Sequence, residues 1–186
     1  DSPNQGHSAS NMWYYTNSLD AVTLHASYAH GTVDASSTEL GLVFTGIDNV
    51  ELWAAAGTDN AAANAVDNTI VGGSIKLGKA TIGIQSNTAD SEAANGDEGF
   101  LAWGISYMVD EDGNMSISYN SSTVDYETAS TDDQEATGIS ASYTMGSMTL
   151  AGVLNKVDNE GTAGATGANN TNRNSETFEV NLSFAF

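Results

Sequence analysis

From residue 12 to the end, the chain is a succession of eleven short segments in which large apolar and small or polar side chains alternate residue by residue. The spacers between these segments are themselves ordered. The segments read as residues 12–16, 21–29, 38–47, 50–57, 69–77, 80–86, 100–109, 115–124, 137–145, 148–156 and 175–186. Tight connections at 17–20, 48–49, 78–79, 110–114 and 146–147 take turns with longer polar spacers at 31–37, 58–68, 87–98, 125–135 and 157–174. Period-two alternation defines a strand with one apolar and one polar face. Gly78-Lys79, Gly146-Ser147 and the Asp-Gly pair at 112–113 supply hairpin chemistry at the tight connections.

Short and long connections in strict turn describe an up-and-down meander, and a Greek-key sandwich would need long crossovers at irregular places. A soluble up-and-down barrel also has this order, but its interior must be filled with apolar side chains. Here the second face is Ser, Thr, Asn, Gln and Glu. Ile139, Ala141, Tyr143 and Met145 oppose Ser140, Ser142 and Thr144, and Met115, Ile117 and Tyr119 oppose Ser116, Ser118 and Asn120. The bulky exceptions on the polar face are Val43, Trp53 and Ile70. A polar face enclosing water and an apolar face meeting lipid satisfy the pattern, so the expected fold is an all-β, antiparallel up-and-down transmembrane β-barrel. Aromatic residues near strand ends, namely Trp13, Tyr14, Tyr15, Tyr28, Tyr107, Tyr119, Tyr143, Phe184 and Phe186, fit girdles at the two bilayer interfaces. Of these, Trp13, Tyr15, Tyr28, Tyr143, Phe184 and Phe186 are the candidates for membrane-interface anchors.

Composition removes other classes. Against 24 acidic residues stand four basic ones, for a formal net charge of −20, so a nucleic-acid footprint is absent. There is no cysteine, which excludes disulfides and thiolate chemistry. Nineteen glycines and one proline suit strands and turns. No apolar run approaches the length of a membrane helix. His7, His25 and His30 have no metal-site spacing, and no Ser, His and Asp grouping marks a hydrolase, so an enzyme is not expected.

The Trp13-Tyr14-Tyr15 strand with its turn Asn17-Ser18-Leu19, the segment TLHASYAHG at residues 23–31 and the terminal VNLSFAF ending in Phe186 together resemble the general diffusion porins of Gram-negative bacteria. The likeness is to the sixteen-stranded trimeric family found in alphaproteobacteria. It implies that the eleven strands are the last eleven of sixteen, the C-terminal two-thirds of such a protein. Residues 1–10 are then the end of a long loop folded into the pore, and residues 11–186 are barrel strands with short periplasmic turns and long extracellular loops. The resemblance further implies a bacterial outer-membrane location, a homotrimer, outer-membrane lipid and lipopolysaccharide as surroundings, and passive diffusion of ions and small hydrophilic solutes without a cofactor. The alternative is a smaller complete barrel of ten or twelve strands acting as a specific channel or adhesin.

Strand parity assigns His25, Glu39, Glu51, Lys76, Gln85 and Glu179 to the wet face as candidate pore-lining groups, and their carboxylates predict a weak cation preference. The family's basic cluster does not transfer. Arg173 lies beside a long spacer, and Lys76 is the basic residue that parity turns inward. Acidic spacer clusters that include Asp97, Glu98, Asp132 and Asp133 are candidate Ca²⁺ or Mg²⁺ ligands, with hard oxygen donors that suit either ion. Asp110, Asp112 and Asn114 resemble the start of a calcium loop, but the later ligands are missing and the turn reading outweighs it.

Overall fold

The computed structural model describes residues 12–30, 36–60, 64–94, 96–127, 132–159 and 174–185. They form eleven strands: β1 (Met12–Leu19), β2 (Val22–His30), β3 (Ser36–Ile47), β4 (Val50–Asn60), β5 (Ala65–Leu77), β6 (Ala80–Ser91), β7 (Glu98–Met108), β8 (Met115–Tyr126), β9 (Gln134–Met145), β10 (Met148–Asp158) and β11 (Ser175–Phe184). All join one antiparallel sheet whose spatial order is the sequence order, so each strand pairs with its chain neighbours. Among the described residues β1 and β11 are the two edges. The expectations for residues 1–10, for Arg173 and for Phe186 fall outside the described residues.

The tight connections form where the backbone reverses through positive φ. Asp20 (55°), Asn49 (64°), Gly78 (61°) and Gly146 (61°) each sit in a two-residue link, and Gly113 (71°) lies in the six-residue link between β7 and β8. Gly78 and Gly146 adopt an angle that costs a side-chain-bearing residue, whereas Asp and Asn tolerate it through local hydrogen bonding. In the β7–β8 link the Asp110 carboxylate accepts from the Met115 N–H at 2.9 Å and from the Asn114 N–H at 3.1 Å. The Met115 N–H above all holds its pKa below the ordinary aspartate value; desolvation opposes it, and the Asn114 contacts add to the lowering. The carboxylate thus does the work of a turn, as the sequence reading preferred.

The strands run farther than the hydropathy pattern indicates. β4 continues to Asn60 and β5 starts at Ala65, so most of the predicted spacer at 58–68 is ladder. The same holds at Asn87–Ser91, and the links at 92–97 and 127–133 are short. The ladder depends on backbone groups, so polar residues on both faces do not end it while a neighbouring strand continues. On the outer face these extensions carry Thr58, Asp67, Asp90, Asp125, Glu135, Asp158 and Glu176, and the apolar band stops there.

The sheet has no apolar core. Among the described residues the buried hydrophobic side chains are Ala29 and Ala55, and no large side chain is fully buried. The outer face of β11 instead presents Phe178, Val180, Leu182 and Phe184 at 70, 61, 53 and 54% exposure. The register carries this face across the sheet through Leu150, Tyr143, Ile117, Tyr107, Ile82, Leu52, Leu42 and Leu24. A contiguous apolar surface of this extent is untenable in water and is the expected surface of a strand wall in lipid. On β10 the outer positions Met148, Leu150, Gly152 and Leu154 span roughly 20 Å of strand, a tilted wall's share of the hydrocarbon layer.

Candidate functional site

The inner face of the sheet is the candidate functional surface, and strand parity decides who occupies it. Successive cross-strand partners place His25, Glu39, Glu51, Lys76, Gln85 and Glu179 on this one face. Lys76 and Glu179 even share one rung, linked through Thr81, Ser106, Ser118, Ser140 and Val153. The same face carries Asp59 and Glu98, giving five carboxylates to one ammonium among its described residues. The other two described cations are engaged elsewhere. Lys79 pairs with Glu111 at 2.7 Å between two tight turns, and Lys156 pairs with Asp158 at 2.5 Å on the outer face.

Three sectors of this face differ in chemistry. On β8, β9 and β10 it is a hydroxyl ladder: Ser118 to Ser140 at 2.7 Å, Ser116 to Ser142 at 2.8 Å and Thr144 to Thr149 at 3.0 Å. Each pair shares one hydrogen bond across the strands and leaves a low, neutral, wettable wall. On β1 and β2, Tyr14 Oη and His25 Nδ1 lie 2.7 Å apart in a hydrogen bond. On β3 to β6 the face holds Glu39, which accepts from Ser27 at 3.4 Å, then Glu51, and Trp53, whose Nε1–H donates to Gln85 Oε1 at 3.1 Å. A hollow of about 50 Å³ lined by Ser27, Ala29, Glu39, Ala55, Gly57 and Asn68, among others, opens toward the longer connections.

Several placements differ from the sequence reading. Tyr14, grouped with the interface aromatics, alternates onto the inner face and binds His25, because its neighbours Trp13 and Tyr15 take the outer one. Trp13 and Tyr15 stack on the outer face with centroids 6.0 Å apart. Tyr28, Tyr143 and Phe184 are also on the outer face, by partnership with Trp13, Leu150 and Met148. Phe100 is a further bulky inner residue, opposite Asn87 and Val124. Glu98, expected in a spacer, opens β7 on the inner face, and the Asp97 carboxylate accepts from the Ser91 N–H at 2.8 Å, closing its own link. The Asp133 carbonyl accepts from Asn159 Nδ2 at 2.9 Å. Among the described residues no three His, Cys, Asp or Glu gather into a group that could hold a metal ion. Parity could have shown Tyr14, Asp59 and Glu98 in advance. The partners of Tyr14 and Trp53 depend on register and are not readable from one strand.

A one-layer antiparallel meander with an apolar outer face and a polar inner face is the wall of an outer-membrane β-barrel. A sequence profile of Gram-negative porins matches residues 1–162, and the chain belongs to that family, whose place is the bacterial outer membrane. β11 lies beyond the matched residues. Solved structures share the fold at low identity. A loop-deletion mutant of OmpT, an outer membrane protein of Vibrio cholerae, is 15% identical with a TM-score of 0.63, over 93% of this chain and 62% of that one. The anion-selective porin of Comamonas acidovorans is 15% identical with a TM-score of 0.66, over 81% of this chain and 49% of that one. A mutant of the Rh. blastica porin is 20% identical with a TM-score of 0.61, over 92% of this chain and 53% of that one. The chain thus spans about half to just under two thirds of the length of these structures. Among curated proteins nothing matches.

Proposed function

We propose that this chain forms part of the wall of a water-filled outer-membrane channel through which ions and small hydrophilic solutes diffuse passively, with a weak preference for cations. The observation that carries the reading is the split between the faces: exposed apolar side chains outside, and hydroxyls, amides and carboxylates inside with no packed interior. A lumen lined in this way holds water and offers permeating ions partners that are weak enough to leave. The cation preference is read from this chain's own wall, where five described carboxylates face one ammonium, since fixed negative charge raises the local concentration of counter-ions. Selectivity is a property of the lining and not of the fold: the Comamonas acidovorans porin, which shares the fold, is anion-selective.

The open edges at β1 and β11 support a barrel completed by further strands, which agrees with the fraction of each solved relative that the chain covers. A homotrimer fits the family, and a trimer form of the Vibrio OmpT is among the similar structures. The outer face meets lipid, with Trp13, Tyr15, Tyr28, Tyr143 and Phe184 toward its margins. Planar-bilayer recording tests the reading. Discrete conductance steps, with a reversal potential of cation sign in a salt gradient, are expected. Absence of steps, or clear anion selectivity, would overturn it.

A further inference from the structure

Trp53 is seated on the wall in a way that ordinary lining residues are not. It faces Gly72 across the β4–β5 pair, and Gly72 faces Gln85 across β5–β6, so the three share one rung. A Cβ at Gly72 would lie 2.5 to 2.6 Å from Cε2, Cζ2 and Nε1 of the indole. The ring therefore lies across a position that must be glycine and reaches over a whole strand to donate its N–H to Gln85. The missing Cβ of Gly72 makes the room that the ring occupies, and the residue, on the inner face by register, stays half-exposed. The seat is rigid, because backbone beneath and a hydrogen bond at the tip hold the ring in place.

Its surroundings are asymmetric. Toward the longer connections the neighbouring rung is Ala55, Ile70 and Asn87, apolar on β4 and β5 and polar one strand beyond. Toward the tight turns it is Glu51, Ser74 and Gly83, which is polar and low. Glu51 lies two residues before Trp53 on the same face, about 7 Å along the strand. Its carboxylate makes no hydrogen bond or ion pair with any described residue, and Lys76 sits farther toward the turns than Glu51 does.

We propose that Trp53 and Glu51 form a weak wall subsite for small organic cations that carry apolar surface, of the alkylammonium or quaternary ammonium class. Trp offers the strongest cation–π face among the aromatic side chains, and the ion is held between the ring and the carboxylate. Ala55 and Ile70 accept the apolar part of the solute. Gln85 Oε1 accepts from the indole, and the charged group beside the ring is the Glu51 carboxylate, so a cation matches the place better than a neutral polyol does. One ring and one carboxylate make a site that a permeating solute can leave, as conduction requires. The proposal rests on the channel reading for its purpose, but binding can be measured without conduction.

The experiment uses the folded protein in detergent with Trp13→Phe and Trp103→Phe, so that Trp53 alone reports by fluorescence. Choline is titrated against its uncharged isostere 3,3-dimethyl-1-butanol and against maltose. Choline is expected to shift the Trp53 emission at millimolar concentration, with the isostere requiring about fivefold more. Glu51→Gln should weaken choline by a few-fold and leave the isostere unchanged. In bilayers, choline should slow potassium current through the unsubstituted protein and lose that effect in Trp53→Leu. Equal titration by choline and its isostere, indifference to Glu51→Gln, or tighter binding of maltose would overturn the subsite. Conductance without choline binding defeats the subsite and spares the channel, whereas choline binding without conductance does the reverse.

Discussion

The walls built by β3–β6 and by β8–β10 have the same outside and different insides. Outside, both carry an apolar band, from Leu42, Leu52 and Ile82 in the first to Tyr119, Ile139 and Leu150 in the second. Inside, the first holds Glu39, Glu51, Trp53, Lys76 and Gln85, and the second holds paired serines and threonines. The outer face answers to lipid, which accepts any apolar side chain and rejects charge, so it is uniform. The inner face answers to water, which tolerates almost anything polar, so it is free to carry specific chemistry. Function in such a sheet therefore varies around the wall while the fold does not.

The largest effect tests the uniformity. Leu52→Arg and Leu150→Arg should each cost about 2–4 kcal/mol in urea unfolding from phospholipid vesicles, because both place a charge in the apolar band. A cost confined to one wall would mean that the other does not face lipid. Next, Gly72→Ala should destabilise by about 1–3 kcal/mol through the indole it would strike, whereas Gly152→Ala, whose nearest atom lies 4.0 Å away, should change stability by less than about 0.5 kcal/mol. Equal costs for the two glycines would refute the seating of Trp53.

Within the hydroxyl wall, Ser140→Ala should cost about 1 kcal/mol by leaving Ser118 without its partner, and adding Ser118→Ala should recover part of that loss. A double variant that loses the sum of both single costs would argue that the ladder is not a set of pairs. Smaller still, Glu51→Gln should lower the cation-over-anion permeability ratio about twofold, or ~0.4 kcal/mol, with no matching change for Ser142→Gln. Reversal potentials in a salt gradient decide this, and an equal response in the two walls would remove the distinction drawn between them.

The smallest effect lies outside both walls, at Asp110. Its pKa is lowered in the folded protein by the Met115 and Asn114 N–H groups, so its contribution to stability is complete above the unfolded value of about 4. That contribution is lost as the pH falls through the lower folded value. The unfolding midpoint of Asp110→Asn should therefore fall less than that of the parent between about pH 4 and pH 2. A parallel loss in both proteins would show that the turn carboxylate contributes nothing.

Much of the candidate surface was legible beforehand. His25, Glu39, Glu51, Lys76, Gln85 and Glu179 could be assigned to one face because side chains alternate with a period of two and the irregularity in β3, between Phe44 and Ile47, lies beyond Glu39. The same rule applied to Tyr14, but the aromatic cluster at 13–15 obscured it. The extent of the strands was not legible, because Asp, Asn and Thr on both faces look like loop while the ladder continues beneath them. The seat of Trp53 was not legible either: nothing in residues 50–57 says that position 72 lies opposite and that position 85 lies one strand beyond.

By itself the sequence determined that this protein is a two-faced antiparallel meander with an apolar side and a wet side, since alternation and the spacing of turns are local properties of the chain. The tertiary structure decided which wet residues meet. Cross-strand register sets Trp53 over Gly72, Tyr14 diagonally across from His25 and Ser118 against Ser140. Register is a relation between segments distant in sequence, set by backbone pairing along the whole ladder, and no single strand contains it.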